Sequence, residues 1–241
     1  TMNSIIFQLL AGLMLLAIPL TVFYKNDRRL LYRLLTTTGC WAIAMLVLVV
    51  VFNFVFQSAV WWLDVLLLLL LEVIVTMVCC RKKWLVVPIL IGVVPVTFIV
   101  GLLVMVIMGQ NPFGNIWFWV PVMALLHGEA LRASRSGLLT YAFNRKVHAS
   151  MFEYLQGNGA TQTEALRPFL VRAMSKALNP LLTKMRDTGL VAVPAILCVL
   201  LLSGMPPIQA GIFAVVATIG MVCCSVLSIL LSVMVYEWLR R

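Results

Sequence analysis

Trp61-Trp62-Leu63-Asp64-Val65-Leu66-Leu67-Leu68-Leu69-Leu70-Leu71-Glu72-Val73-Ile74-Val75-Thr76-Met77-Val78-Cys79-Cys80 runs straight into Arg81-Lys82-Lys83. A helix needs about 20 largely apolar residues to cross a bilayer, and this stretch supplies them. The unbroken leucines leave no polar stripe, so no face of such a helix suits water. The basic triplet at its end is what a helix shows where it leaves lipid on the cytoplasmic side.

Composition extends that reading to the whole chain. Its 241 residues are 63% hydrophobic and 11% charged, with a mean hydropathy of +1.08. A soluble domain carries roughly 25% charged residues. A chain this poor in charge cannot clothe a soluble core, and most of its surface is expected to face lipid. There are 18 Lys and Arg against 8 Asp and Glu. The cations sit in short gaps between apolar runs, where membrane orientation explains them and nucleic acid does not. Six cysteines include the neighbours Cys79-Cys80 and Cys223-Cys224. No C-x-x-C spacing is present, so no zinc site is supported. The first apolar run lacks a basic start and an A-x-A end, and reads as a retained helix.

Further apolar runs cover residues 5–24, 35–56, 84–108, 116–137, 189–203 and 208–238. With 61–80 they make about seven spans in an all-α polytopic membrane protein, a single transmembrane domain over 1–241. Basic clusters follow the first, third, fifth and seventh runs, while the turns after the second, fourth and sixth carry no Lys or Arg. That alternation places the N-terminus outside and the C-terminus in the cytoplasm. Trp61, Trp62, Trp117 and Trp119 lie near the outer ends, as interfacial aromatics do. The sixth run is short and holds Pro194. It reads either as a packing kink or as a hinge beside a pathway.

Residues 138–187 are polar enough to lie outside the lipid. Ser150-Met151-Phe152-Glu153 has the form of a capping box, opening a short helix that Gly157 stops. Gly157-Asn158-Gly159 makes the turn, and Thr161-Gln162-Thr163-Glu164 is a second box opening a longer helix. There Leu166, Leu170, Met174, Leu178 and Leu182 fall four apart, beside Ala165, Phe169, Ala173, Ala177 and Leu181. The helix is amphipathic, bent at Pro168 and Pro180. Its apolar face must bury against the membrane surface, the other helices or a second protein. The short helix, bearing Phe152, Tyr154 and Leu155, is a candidate knob for a partner's groove. The plainer reading is that the loop only connects.

The stretch Glu153 … Gly159-Ala160-Thr161 … Ala165 … Leu178-Asn179-Pro180 … Met185 … Gly189-Leu190-Val191 … Pro194 … Gly204-Met205-Pro206-Pro207 … Ala210 resembles the FetB/YbbM-like permeases of ABC transporters. That family is linked to iron export in bacteria, and its plant relatives to aluminium tolerance. The resemblance holds from about residue 118 to 238; upstream it rests on the number and orientation of spans. It implies a half-transporter of the plasma (bacterial inner) membrane, pairing as a homodimer over a separate ATP-binding cassette ATPase. Phe152, Glu153, Tyr154, Gly157, Gly159, Ala160 and Thr161 would then form the ATPase-coupling site, with Pro180, Gly189 and Pro194 as hinges. The chain has no G-x-x-x-x-G-K-[ST] loop to hold ATP, so hydrolysis belongs to the partner, and no cofactor is implied. At Ala124-Leu125-Leu126-His127-Gly128-Glu129 the chain departs from its relatives, which carry a Gly-Met-Ile-x-Gly-Asn-like stretch. Glu129 standing for Asn leaves the substrate open between a metal such as iron and another small solute.

Ionisable residues within spans are costly and mark function by default. Glu72, His127, Glu129 and Arg132 are the candidate pathway residues. His127 and Glu129 are two apart, so they point to different faces of one helix. Glu129, Arg132, Ser136 and Thr140 share a stripe. The bland account of it is a Glu129–Arg132 pair that serves packing. Thirteen Met and six Cys suggest a soft-metal path, but both are ordinary apolar filler in a membrane bundle. Two other classes compete. A self-contained channel or carrier would be expected to show an internal repeat. A membrane enzyme using His127, Glu129 and His148 would need a catalytic spacing. The sequence displays neither.

Overall fold

A computed structural model describes Met14, Leu20, Thr21, Tyr24 and residues 28–57, 61–80, 82–109, 116–188 and 195–240. Among the described residues there is no strand, and eight helices follow in order. They are α1 (Arg28–Gln57), α2 (Trp61–Cys79), α3 (Lys83–Ile107), α4 (Ile116–Val147), α5 (Ala149–Gly157), α6 (Gln162–Thr188), α7 (Ala195–Leu202) and α8 (Pro207–Arg240). Among the described residues three stretches are long and apolar enough to cross a bilayer: Leu31–Val50 of α1, α3 and α8. The protein is an all-α, membrane-embedded chain. The span expected over 5–24 lies largely outside the described residues. So do the expected hinge residues Gly189 and Pro194.

Two compact units divide after Gln57. In the first, α1 is one continuous helix holding the run expected at 35–56. Trp41, Leu46 and Val50 are each at least 60% exposed. A helix apolar all round has no soluble solution, and lipid is its natural solvent.

In the second unit α8 is the central post, packed along α3 and α4. Its buried face is built of small residues: Ala210, Ala214, Ala217, Gly220, Ser225, Ser228 and Ser232. Small side chains let backbones approach closely where lipid removes the ordinary hydrophobic drive. Gly92 of α3 is the tightest point, since a Cβ there would stand 2.1 Å from Ser232 Oγ and 2.8 Å from its backbone nitrogen. Gly220 faces Val104 and Leu126 in the same way. Phe118 meets Phe213 edge to face at 5.1 Å, Gly137 meets Ile229, and Tyr141 meets Glu237. Those contacts step down both helices together, so α4 runs parallel to α8. α3 runs against them: its start carries Trp84, stacked on Tyr236, and its later Val104 meets Gly220.

The segment expected to lie outside the lipid on the cytoplasmic side carries its two expected helices, and the rest of it is largely helical as well. α4 continues to Val147, and α6 folds back along it and against α8. Of the two apolar rows on α6, the Ala165–Phe169–Ala173–Ala177–Leu181 row is the buried one. The Leu166–Leu170–Met174–Leu178 row lies half-buried at its edge, and Leu182 is exposed. The small Ala side chains again decide which face goes inward. Pro168 and Pro180 both sit inside the continuous helix.

The second expected capping box forms. The Thr161 amide and hydroxyl donate to Glu164 Oε2 at 2.8 and 2.7 Å, and the Glu164 amide donates to Thr161 Oγ1 at 3.4 Å. The first does not. α5 begins two residues earlier than a Ser150 cap implies, with His148 as its cap and no side-chain cap bond. Ser150 is already inside the helix, where its hydroxyl has no free amide to serve. The turn after α5 is closed by Gly159 at φ +87°, not by Gly157. Ala160 N donates back to Leu155 O at 3.1 Å, satisfying a terminal carbonyl.

Candidate functional site

Three helices converge on a buried polar cluster. α2 turns Leu68, Glu72 and Thr76, spaced four apart, to one buried face. α4 presents Met123 and His127 in the same rhythm, and α3 adds Thr97. Glu72 and His127 are 3% and 4% exposed. Glu72 Oε2 lies 3.4 Å from His127 Nδ1 and accepts from the Thr97 hydroxyl at 3.1 Å. On the far side of the ring, Nε2 lies 3.3 Å from Thr76 Oγ1. That hydroxyl donates its own hydrogen to the Glu72 carbonyl at 2.8 Å.

A carboxyl group and an imidazole thus lie side by side in a low-dielectric interior, which penalises either one as a lone charge. The approach is close without being a hydrogen bond, since His127 Nδ1 has no hydrogen-bond partner. Glu72 Oε1 has no hydrogen-bond partner. Cys224 of α8 stands within electrostatic reach of this carboxylate. Among the described residues no three His, Cys, Asp or Glu side chains gather as a metal would require.

Glu129 looks the other way from α4, as its two-residue offset from His127 demands. Arg132 approaches its Oε2 through Nε at 2.8 Å and Nη2 at 2.6 Å. Lys184 of α6 reaches its Oε1 at 3.3 Å. The expected Glu129–Arg132 pair is therefore present, and a third charge from α6 joins it. Ser136 and Thr140 continue that stripe half-buried.

A third cluster marks the basic end of the bundle. Tyr141 donates to Glu237 Oε1 at 3.0 Å, and Arg145 pairs with the same oxygen. The Tyr236 ring lies 5.5 Å from Trp84 and 6.2 Å from Tyr141. The Arg145 guanidinium sits 5.3 Å from the centre of the Phe152 ring. Phe152, expected as a free knob, thus packs back on the bundle, and Tyr154 at 71% exposure is the free aromatic of α5. Glu153 and Gly157 are exposed beside it, as are Gly159 and Thr161 in the turn, while Ala160 is half-buried. Pro180 is exposed on α6. Thr76, Thr97, Tyr141, Arg145 and Glu237 were not singled out by sequence. The four-residue step from Glu72 to Thr76 was the one signal available for them.

The chain belongs to the family described as Uncharacterised protein family (UPF0014), which it matches over residues 6–239. No curated protein and no solved structure matches it.

Proposed function

We propose that this UPF0014 chain is the permease subunit of an ABC transporter of the FetB/YbbM type, moving a metal ion such as iron or another small solute out of the cell. In this reading it lies in the plasma (bacterial inner) membrane and pairs with a second copy of itself. A separate ATPase drives it, and the chain is not itself an enzyme. The observation that carries the proposal is α5. It is a nine-residue helix with no buried residue, held at the basic end of the bundle by Arg145 against Phe152. A capped turn follows it and leads directly into α6, which runs back along the bundle. An element fixed at its root and exposed at its tip suits a docking partner whose motion is to reach the membrane helices. The test is co-purification with a stand-alone ATPase, followed by ATP-dependent transport in proteoliposomes. Stable recovery of the chain alone, with transport that ignores ATP, would overturn the reading.

The Glu72–His127 pair supports a second reading, a proton-coupled carrier, because it sets two ionisable side chains together inside the bundle. Transport driven by a pH gradient without ATP would select it.

A further inference from the structure

We infer that the exposed flank of α6, with the facing stripe of α4, is the wall of a water-filled pathway at mid-membrane depth whose charge selects a small anion. The inference deepens the permease reading and rests on it for the opposite wall, which a second copy supplies.

The argument begins with depth. α3 and α8 each qualify as bilayer-crossing helices, and α4 keeps register with both from Phe118 to Tyr141. Trp84, Tyr141 and Tyr236 form an aromatic cluster where those helices reach the basic end, as side chains at a membrane boundary do. At a rise of about 1.5 Å per residue, Glu129 stands about 18 Å from Tyr141 and about 20 Å from Ile116. The apolar thickness of a bilayer is about 30 Å, so Glu129 lies close to its middle.

α6 is tied to that level twice. Ala177 Cβ lies 3.5 Å from the position of a Cβ on Gly137, and Lys184 pairs with Glu129. The last three turns of α6 therefore run antiparallel to α4 inside the membrane thickness. They carry charge there. The Lys184 side chain is 66% exposed, Arg186 76% and Asp187 50%. Lys176 is exposed about two turns nearer the basic end, and Arg132 is half-exposed on α4. Lys176 and Lys184 share one flank of the helix; Leu170, Met174 and Leu178 lie half-buried on the other.

Charges at the level of Glu129 cannot face hydrocarbon, and from there the nearest boundary is beyond the reach of a lysine stem. They face water. Among the described residues at that level three cations, Arg132, Lys184 and Arg186, outnumber two carboxylates, Glu129 and Asp187. A narrow aqueous path with that excess concentrates anions and repels free cations. The solute it suits carries carboxylate or phosphate groups, or is a metal moving as an anionic complex.

The test uses the full chain in lipid nanodiscs, native cysteines retained, with site-resolved mass spectrometry after brief treatment with membrane-impermeant thiol reagents of either charge. Asn179→Cys and Thr183→Cys on the exposed side of α6 are expected to react. Ile91→Cys, at similar depth on α3, is expected not to. The anionic methanethiosulfonate should outpace the cationic one about tenfold at both α6 positions, relative to their rates on a free thiol. Adding Lys184→Gln should narrow that ratio. Silence at both α6 positions overturns the aqueous wall, and a faster cationic reagent overturns the anion assignment. Neither ATPase nor substrate is present, so either result is independent of whether the chain docks an ATPase.

Discussion

Glu72 of α2 and His127 of α4 meet inside the bundle with Oε2 3.4 Å from Nδ1, and threonines from α2 and α3 hold the two ends of the pair. Removing one member strands the other. His127→Ala leaves a buried carboxyl group without its partner and should cost about 3–5 kcal/mol, read as a large fall in Tm in detergent. Glu72→Gln keeps the shape and an acceptor for Thr97, and should cost less. It also removes an ionisable group. If the pair carries a proton during transport, Glu72→Gln flattens the pH profile of transport in proteoliposomes. An unchanged profile confines the pair to a structural role.

The Glu129–Lys184 contact ties α6 to α4. Interhelical polar contacts in membranes are commonly worth about 0.6 kcal/mol and reach about 1.7. A double-mutant cycle with Glu129→Gln and Lys184→Gln should give a coupling in that range. If Glu129 also lines the path, Glu129→Gln changes the rate or preference of transport beyond what lost protein explains. Equal specific activity in all four proteins of the cycle retires the pathway role.

The helix plan was legible in the sequence because lipid imposes one rule on every residue of a span. The runs at 61–80, 84–108 and 208–238 became helices within two residues of expectation, and the run at 35–56 lies inside a helix that begins about two turns earlier, at Arg28. The stretch 138–187 was harder. Its charges spoke for water, while its Ala165–Leu181 row spoke for burial, and both hold on opposite sides of α6. Composition alone cannot say that a helix turns back beside its predecessor. Of the site, Glu72 and His127 were visible as misplaced polarity, but their meeting was not. They lie on different helices, and only the packing of α2 on α4 brings them together. Ser150 shows the opposite error, a sequence pattern with no free amide left to cap.

Close packing makes a contrast between two glycines. Gly92→Val must push against the backbone of Ser232, and overpacking of this kind costs about 1–3 kcal/mol. Gly211, also helical, has open space where a Cβ would go. Gly211→Ala should be neutral or stabilise by about 0.4–1 kcal/mol through the unfolded chain. Melting curves in one detergent compare them directly. A silent Gly92→Val would mean that α3 and α8 stand further apart than described.

The capping box at Thr161 brings a pH dependence. Hydrogen bonds from the Thr161 hydroxyl and amide hold the Glu164 carboxyl below its usual value of 4.5. A group depressed on folding contributes in full above its unfolded pKa and loses that contribution as pH falls through its folded one. Amide protection at residues 162–165 should therefore be constant at neutral pH and decline below about pH 4.5. Thr161→Ala should remove the decline by removing the cap. Protection that falls between pH 7 and 5 would point to another group.

The proposed coupling helix α5 yields the sharpest test, because the structure separates residues that sequence placed together. Phe152 is half-buried under Arg145, while Tyr154 is 71% exposed on the same short helix. Glu153 is exposed and caps nothing. If α5 docks an ATPase, Tyr154→Ala should weaken that association by about 2 kcal/mol, the usual scale for an anchoring aromatic, and leave the Tm of the isolated chain unchanged. Phe152→Ala should lower the Tm, since it removes packing and the guanidinium contact that fixes α5 to α4. Its effect on docking follows from a loosened root. Glu153→Ala should leave the Tm alone and alter docking only through a charge contact, which added salt would screen. Pull-down of the ATPase at two salt concentrations, beside melting curves of each variant, reads all three. Should Tyr154→Ala bind like the parent while Phe152→Ala does not, the partner grips the root of α5 at Arg145 and Phe152, not its tip.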